Sequence, residues 1–485
     1  MITRTTLSIA ALALTFVGCS DHAGDARRAQ PLARVVVVGA DGLEWNVLRP
    51  LLASGECPNL RALMERGSFG RLETLKPTLS PMLWTTVATG KTPAEHEIAG
   101  FIDRERRQYT STQRRGRAVW NIADRYGLSS NVVGWFITWP VDPIRGAMVS
   151  GSSSTALIDA NWKPALMPDV PDQVHPASLT PRVMEIAKSA GSATHLRELE
   201  STRVFGDIPK EALGSVERRL RLDTRWSIQA DATFFEVTRM LLREQPADLN
   251  LVYFGGTDVV GHRFWRYYQP EQYRWPGDAT VEARWRELAP KCPPLAESLA
   301  KPEGAALLAP VIPNYYRWFD AMLGELVSAA GPDATIVVLS DHGMHAVSTD
   351  MPSPDCKFIT GHHEDAPPGV IIAAGPGIAR QGSLDAFLQR GELATHGGAL
   401  QVMPTLLALL GIPPAADSKP RAIVSLFDER ARANAALAPV ASHDDGFRVP
   451  FRTQMASDMD RNFIEKYKAL GYIGDDADEA ESAPK

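Results

Sequence analysis

The sequence predicts an α/β fold with a largely parallel central sheet, helices on both faces and cap insertions, and three apolar runs carry that prediction. Val35-Val36-Val37-Val38-Gly39-Ala40 ends at Asp41, Leu249-Asn250-Leu251-Val252-Tyr253-Phe254 leads to Asp258 and His262, and Thr335-Ile336-Val337-Val338-Leu339-Ser340 ends at Asp341 and His342. A strand that is apolar at nearly every position is buried on both faces, as in a parallel sheet covered by helices. Such sheets carry their ligands beyond the carboxyl ends of their strands. Two further Asp and two His therefore converge with Asp41 on one sheet edge, the arrangement of a metal-dependent hydrolase.

The chain begins with what reads as an export signal. Arg4 supplies a positive charge, Leu7 to Val17 is a short apolar stretch, and Phe16-Val17-Gly18-Cys19 closes it with small residues before a cysteine. The stretch is shorter than the roughly 20 residues a membrane-spanning helix needs. It resembles a bacterial lipoprotein signal, which implies residues 1–18 as signal peptide, Cys19 as the lipidated first residue and 19–33 as a tether. Ser20 after the cysteine points by analogy to the outer membrane, facing the periplasm. Residues 34–440 are then the catalytic domain, with insertions at about 155–247 and 263–313, and 441–485 a carboxyl-terminal extension.

Within that domain strand and helix patterns alternate. Apolar residues at helical spacing and a terminal glycine predict a helix over 58–67, followed by a strand over 70–75 and a helix over 81–89. A helix over 118–126 and a strand over 131–136 continue the alternation. From 155 to 247 the sequence turns charged, Pro-containing and irregular until a helix at 230–243. The second insertion is rich in Trp, Tyr and Pro. Its aromatics Trp265, Tyr267, Tyr268 and Trp275 either border the site or pack on the core. The core resumes with a strand over 369–374 and a helix over 400–410, and the acidic end from Asp475 reads as frayed.

Composition narrows the chemistry. The 485 residues are 44% hydrophobic and 22% charged, enough for a sizeable core, and a net charge of -6 argues against a nucleic-acid polymer as partner. Beyond Cys19 only Cys57, Cys292 and Cys356 remain, with no CxxC pair, so metal ligands must be oxygen and imidazole. Asp258 and His262 stand four apart, on one side of a helix turn, and a turn after Ser340 lets Asp341 and His342 reach the same cation. Thr360-Gly361-His362-His363 offers further imidazole before a core strand. In Pro77-Thr78-Leu79-Ser80-Pro81, Ser80 reads as a helix N-cap and Pro81 as the first helical residue. A hydroxyl there faces free N–H groups and the positive end of the helix dipole, which favour an alkoxide and an anionic phosphoryl group.

These segments together are similar to the type I phosphodiesterase and nucleotide pyrophosphatase branch of the alkaline phosphatase superfamily. The resemblance lies in VVVGADG (36–42), PTLSPMLWTTVATGKTPAEHEIAGF (77–101), GTDVVGH (256–262), LSDHGM (339–344), GHHEDAPPGVIIAAGPGI (361–378) and LGYIG (470–474). It implies an alkaline-phosphatase-like three-layer sandwich and a phosphoric ester hydrolase with two divalent ions, usually zinc. One ion falls to Asp41, Ser80, Asp341 and His342, the other to Asp258, His262 and His363. The Gly-x-His pattern favours His363 over His362, and His396 is a further alternative. Ser80 is the implied nucleophile, passing through a covalent phosphoryl-serine that water then hydrolyses, with Thr78 as the alternative two residues away. A small phosphorylated substrate is the implied partner, and the membrane is reached through the lipid anchor.

Two positions depart from the family pattern. Leu83 stands where nucleotide pyrophosphatases carry an Asn that holds a phosphate oxygen, and His96-Glu97-Ile98 replaces His-Gly-Ile, so nucleotide specificity is left open. A phosphonate or phosphate monoester hydrolase of the same superfamily remains as an alternative, and so does an inactive, metal-retaining surface protein. A sulfatase is disfavoured, because Ser80-Pro81-Met82-Leu83-Trp84 does not fit the Cys/Ser-x-Pro-x-Arg motif that such enzymes convert.

Overall fold

The computed structural model describes residues 28–104, 108–151, 171–270, 306–346, 360–363 and 365–449. Cys19 and the segment before it, Trp275, Cys292, Cys356 and the 470–474 motif lie outside the described residues. The strands are β1 (Val35–Ala40), β2 (Ser68–Glu73), β3 (Ser130–Val133), β4 (Gly146–Val149), β5 (Val174–His175), β6 (Leu249–Phe254), β7 (Thr335–Leu339), β8 (His345–Ala346), β9 (Gly361–His362), β10 (Gly369–Ala374) and β11 (Thr395–Gly398). Nine of them form one sheet in the order β11-β2-β10-β7-β1-β6-β3-β4-β5, and β8 and β9 pair as a separate ribbon. Within the sheet β10 and β5 run against the rest, so it is mixed but mostly parallel.

Alternation along β1 sends its side chains into two separate cores. Val36, Val38 and Ala40 join helices α1 (Trp45–Ala53), α2 (Pro58–Arg66), α6 (Thr180–Ala190), α7 (Ser215–Glu244), α8 (Gly256–Tyr268) and α9 (Val311–Ala330). Val35 and Val37 join α3 (Ser80–Thr89), α5 (Val119–Arg125) and α10 (Val402–Leu409) on the other face. Both faces of the central strand are thus dry, which is why its sequence has no polar alternation. Each Val so buried contributes roughly 1.5–3 kcal/mol of transfer free energy.

The structure departs from the sequence expectations in two stretches. The described part of the segment that reads as irregular, residues 171–247, is largely helical: α6 starts at Thr180-Pro181, and α7 runs for 30 residues where only its second half is expected. The buried face of α7 includes Glu217, Thr224, Ser227, Gln229 and Asp231, and these polar residues mask the helical period. In the second stretch α8 continues without a break to Tyr268, and Trp265 and Tyr267 are buried in the core beside it. Both aromatics belong to the packed core. Residues past 440 also dock on the core, where Asp444 meets Lys91 at 2.5 Å and accepts from the Arg117 amide.

Two local features fix the loops that follow β3 and α3. After β3 the chain holds Ile137 at φ 56, a conformation unfavourable for a β-branched residue. Its carbonyl accepts from Arg114 Nη1, and Arg114 Nη2 pairs at 2.7 Å with Asp142, both side chains almost fully buried. Asp142 Oδ2 also accepts from Trp120 Nε1 and Asn121 Nδ2. Beyond α3, helix α4 (Pro93–His96) starts on a capping box between Thr92 and Glu95 and ends on Glu97 at φ 65. That left-handed position explains why the family pattern has glycine there.

Two outcomes follow for urea unfolding. Asp142→Ala should lower the unfolding free energy by about 3–5 kcal/mol, because it strands the buried Arg114 charge; a loss below about 1 kcal/mol contradicts the pairing. Glu97→Gly should leave stability unchanged or raise it by up to about 1 kcal/mol, as relief of the left-handed strain outweighs the exposed pairs to Arg115 and Arg448.

Candidate active site

β1 lies between β6 and β7 in parallel register, with Val35 opposite both Leu249 and Thr335, so the three strands end level. Asp41 follows β1 directly, its amide bonded to the Phe254 carbonyl at 2.9 Å. Gly42 takes φ 63, and a Cβ on it would come within 3.0 Å of the Asp258 Cα, so the turn can press against the start of α8 only as glycine. Asp258 occupies the first turn of α8 and His262 the next, on one side of the helix. After β7, Ser340 donates to the His342 carbonyl at 2.5 Å and closes the turn that presents Asp341 and His342. Because β10 is antiparallel, its amino end lies at this same edge and brings His363 with it.

The side chains gather in two buried groups, Asp41 with Asp341 and His342, and Asp258 with His262 and His363, each with its ligand atoms within 4.8 Å of one another. In the first, His342 Nε2 is 3.3 Å from Asp41 Oδ1 and 3.5 Å from Asp341 Oδ2. In the second, Asp258 Oδ1 is 3.3 Å from His262 Nε2 and 4.0 Å from His363 Nε2. The groups adjoin through imidazoles: the rings of His342 and His363 are 4.2 Å apart and those of His262 and His363 are 4.8 Å apart.

Orientation and electrostatics both fit cations. His262 Nδ1 lies 2.8 Å from the Gly361 carbonyl and His342 Nδ1 2.9 Å from that of Gly343. A carbonyl only accepts, so each Nδ1 carries the proton and each Nε2 turns its lone pair into the site. Both oxygens of Asp341 and the Nε2 atoms of His342 and His363 are buried with no hydrogen-bond partner. Burial raises the Asp41 carboxyl, with Asp258 adding to the effect, and it raises Asp341 well above the ordinary range, with Asp41 adding there. Burial likewise pushes His262 down to about 3 and lowers His363, reinforced by His342 and His262. Crowded carboxylates beside imidazoles form an N/O donor set of the kind that holds zinc or a similar divalent ion.

Ser80 differs from its sequence reading by one step. It is the first residue of α3, with Leu79 as N-cap, and its hydroxyl points to Asp41 Oδ1 at 3.5 Å instead of capping the helix. Thr78, the alternative nucleophile, donates its hydroxyl proton to the His363 carbonyl at 2.6 Å. His362 lies on β9, its ring 5.7 Å from that of His363, and neither metal-holding group includes it. His396 sits on edge strand β11, bonded to the Phe69 carbonyl and Ser425. Leu83, where the family pattern has Asn, is fully buried.

Several supporting residues were not anticipated. Tyr253 and Trp84 both donate to Asp41 Oδ2, at 2.6 and 3.1 Å, and leave Oδ1 facing Ser80 and His342. Gly39 makes room for that indole, since a Cβ there would lie 2.7 Å from the Trp84 ring. Glu44 accepts from the Asn46 and Met344 amides and so ties the β1 turn to the Asp341-His342 turn. Asp231 on α7 accepts from the Gly255 and Gly256 amides and from Tyr315, anchoring the start of α8, and burial pushes its carboxyl up to about 7. Trp84 and Tyr253 lie in segments singled out by sequence, but a strand pattern records only that a position is buried.

A family model described as type I phosphodiesterase / nucleotide pyrophosphatase matches residues 35–363. No curated protein matches the chain. Solved structures that align with it include a 2-O GAG sulfatase, at 12% identity over 81% of this chain and 73% of that one, with a TM-score of 0.43. Murine ectonucleotide pyrophosphatase/phosphodiesterase 5 aligns at 13% identity over 78% and 95%, with a TM-score of 0.40. Phosphonoacetate hydrolase from Sinorhizobium meliloti aligns at 18% identity over 66% and 58%, with a TM-score of 0.35. The family match, from Val35 to His363, takes in Ser80 and every residue of both donor groups, and the chain is a hydrolase belonging to the type I phosphodiesterase/nucleotide pyrophosphatase family.

Proposed function

We propose that the protein cleaves a phosphoric ester through Ser80, with one divalent ion held by Asp41, Ser80, Asp341 and His342 and a second held by Asp258, His262 and His363. The carrying observation is the meeting of two buried donor groups beside a serine hydroxyl at a helix amino end. When bound, two divalent cations, zinc by the donor set, supply Lewis acidity that lowers the hydroxyl pKa and offsets charge developing on the phosphoryl oxygens. With a diester, Ser80 Oγ attacks phosphorus and one ester oxygen leaves as the alcohol, carrying the proton the hydroxyl gives up; water then cleaves the phosphoryl-serine bond, releasing the phosphomonoester and restoring the hydroxyl. Asp41 holds its Oδ1 toward the hydroxyl while Tyr253 and Trp84 keep the carboxylate from turning. At the amino end of α3, Leu79 has no side chain with which to cap the helix, so the first-turn N–H groups are available to an anionic phosphoryl group.

The substrate class proposed is a phosphodiester, pyrophosphate or phosphonate ester. A buried, apolar Leu83 offers no hydrogen bond to a phosphate oxygen, which supports a substrate not chosen through that contact. The lipoprotein reading rests on residues 1–20 and places the enzyme in the cell envelope; incorporation of labelled palmitate that disappears in Cys19→Ala checks it, and equal labelling of both forms rules it out.

Against bis-p-nitrophenyl phosphate, Ser80→Ala should lose at least about 10³-fold in kcat while keeping its fold. Retention of turnover above a tenth of the wild-type value would exclude Ser80 as nucleophile. Dialysis against a chelator should abolish activity and added Zn2+ should restore it, and Asp258→Ala should lose activity with an unchanged circular dichroism spectrum. Activity that survives complete metal removal contradicts the two-ion reading, and a preference for p-nitrophenyl phosphate over the diester favours a monoesterase.

A further inference from the structure

The proposed chemistry leaves Thr78 without a role, yet its hydroxyl is fully committed. The proton goes to the His363 carbonyl at 2.6 Å, since a carbonyl only accepts. With that proton spent, the 3.2 Å contact between Thr78 Oγ1 and His363 Nδ1 has a single reading: Nδ1–H donates and the hydroxyl oxygen accepts. The lone pair of His363 therefore sits on Nε2, which is buried without a hydrogen-bond partner, 4.0 Å from Asp258 Oδ1.

The other two imidazoles reach the same state by a different route. His262 and His342 give Nδ1–H to backbone carbonyls, whereas His363 gives it to a side chain, and that side chain belongs to the segment that carries Ser80. A second tie joins the same two segments, because Lys76 Nζ lies 2.6 Å from Asp365 Oδ1. From the inner tie to the outer one the chain moves back two residues on one segment and forward two on the other, so the segments pass in opposite directions. The outer pair is exposed and contributes little. The Thr78 bonds are buried, and of the two ties they can hold the segments in register.

We infer that Thr78 is a positioning residue that fixes the tautomer and ring plane of His363, and so couples cation binding at Asp258, His262 and His363 to the placement of the nucleophile segment. The inference rests on the two-ion reading above. Partners that orient a ligating imidazole typically change metal affinity about 10- to 100-fold when removed. Asp41 and His342 take their orienting bonds from other residues, and no bond joins Thr78 to Asp341, so only one of two bound ions is affected.

The test titrates the metal-free full chain with Zn2+, and with Co2+ followed by its visible absorption, in wild type, Thr78→Val and Thr78→Ser. Wild type should bind two ions. Thr78→Val should bind one with unchanged affinity and the other about 10- to 100-fold more weakly, while Thr78→Ser stays within about threefold of wild type. Turnover by Thr78→Val should recover toward the wild-type kcat at saturating metal. Equal binding of both ions by Thr78→Val overturns the inference and leaves the two-ion reading standing, whereas a wild type that binds no ion overturns that reading itself. A turnover loss that saturating metal does not repair also overturns the inference and assigns the Thr78 hydroxyl to the chemistry. Independently of variants and of metal, the 15N spectrum of the wild-type imidazoles should show His363 protonated at Nδ1, and protonation at Nε2 instead defeats the proposal.

Discussion

Three carboxylates, Asp41, Asp258 and Asp341, are buried within one small volume at the end of the sheet, and the surrounding structure is organised around the cost of keeping them there. Burial weakens screening by solvent, so each raises the free energy of ionising the others. Burial keeps the His262 and His363 imidazoles neutral, so they provide lone pairs but no charge. The residues that surround this knot are correspondingly rigid: Tyr253 and Trp84 clamp one oxygen of Asp41, Glu44 bridges two turns, and Asp231 pins the helix that presents Asp258. Such a site is strained toward positive charge before anything binds, and that preorganisation is what a cation exploits.

The sheet edge is a consequence of register. Because β1 is paired on both sides in parallel, with the same residue of β1 opposite the starts of β6 and β7, three strand ends are forced level. The reversal at β10 then adds a fourth segment at the same edge. Gly39 and Gly42 show how little slack remains, one giving way to an indole and the other to the backbone of Asp258.

Much of this was legible in the sequence, for physical reasons that differ residue by residue. The runs before Asp41, Asp258 and Asp341 read as strands because both of their faces are dry, and the spacing of Asp258 and His262 follows from the helix repeat. Helix α7 was only half legible, since Thr224, Ser227 and Asp231 occupy its buried face and erase the apolar period. Ser80 was read one position too early because a serine before a proline is a common cap, while here the hydroxyl turns to Asp41 instead. The bonds between Thr78 and His363 were invisible, as 285 positions separate the partners and no local pattern encodes such a contact. Glu97 had looked like an unexplained departure, and its positive φ shows what the position demands.

The placement of the donors along the chain also governs when a site can exist at all. Neither group is complete until the polypeptide has reached Asp341 and His342 in one case and His363 in the other, while their first members lie at Asp41 and Asp258. Closing loops of that length is slow and is rewarded only when the central strands pair. A growing or still unfolded chain therefore presents at most local pairs, Asp258 with His262 or Asp341 with His342, and neither complete group. Either complete donor group forms only once the sheet edge has brought its separate segments together.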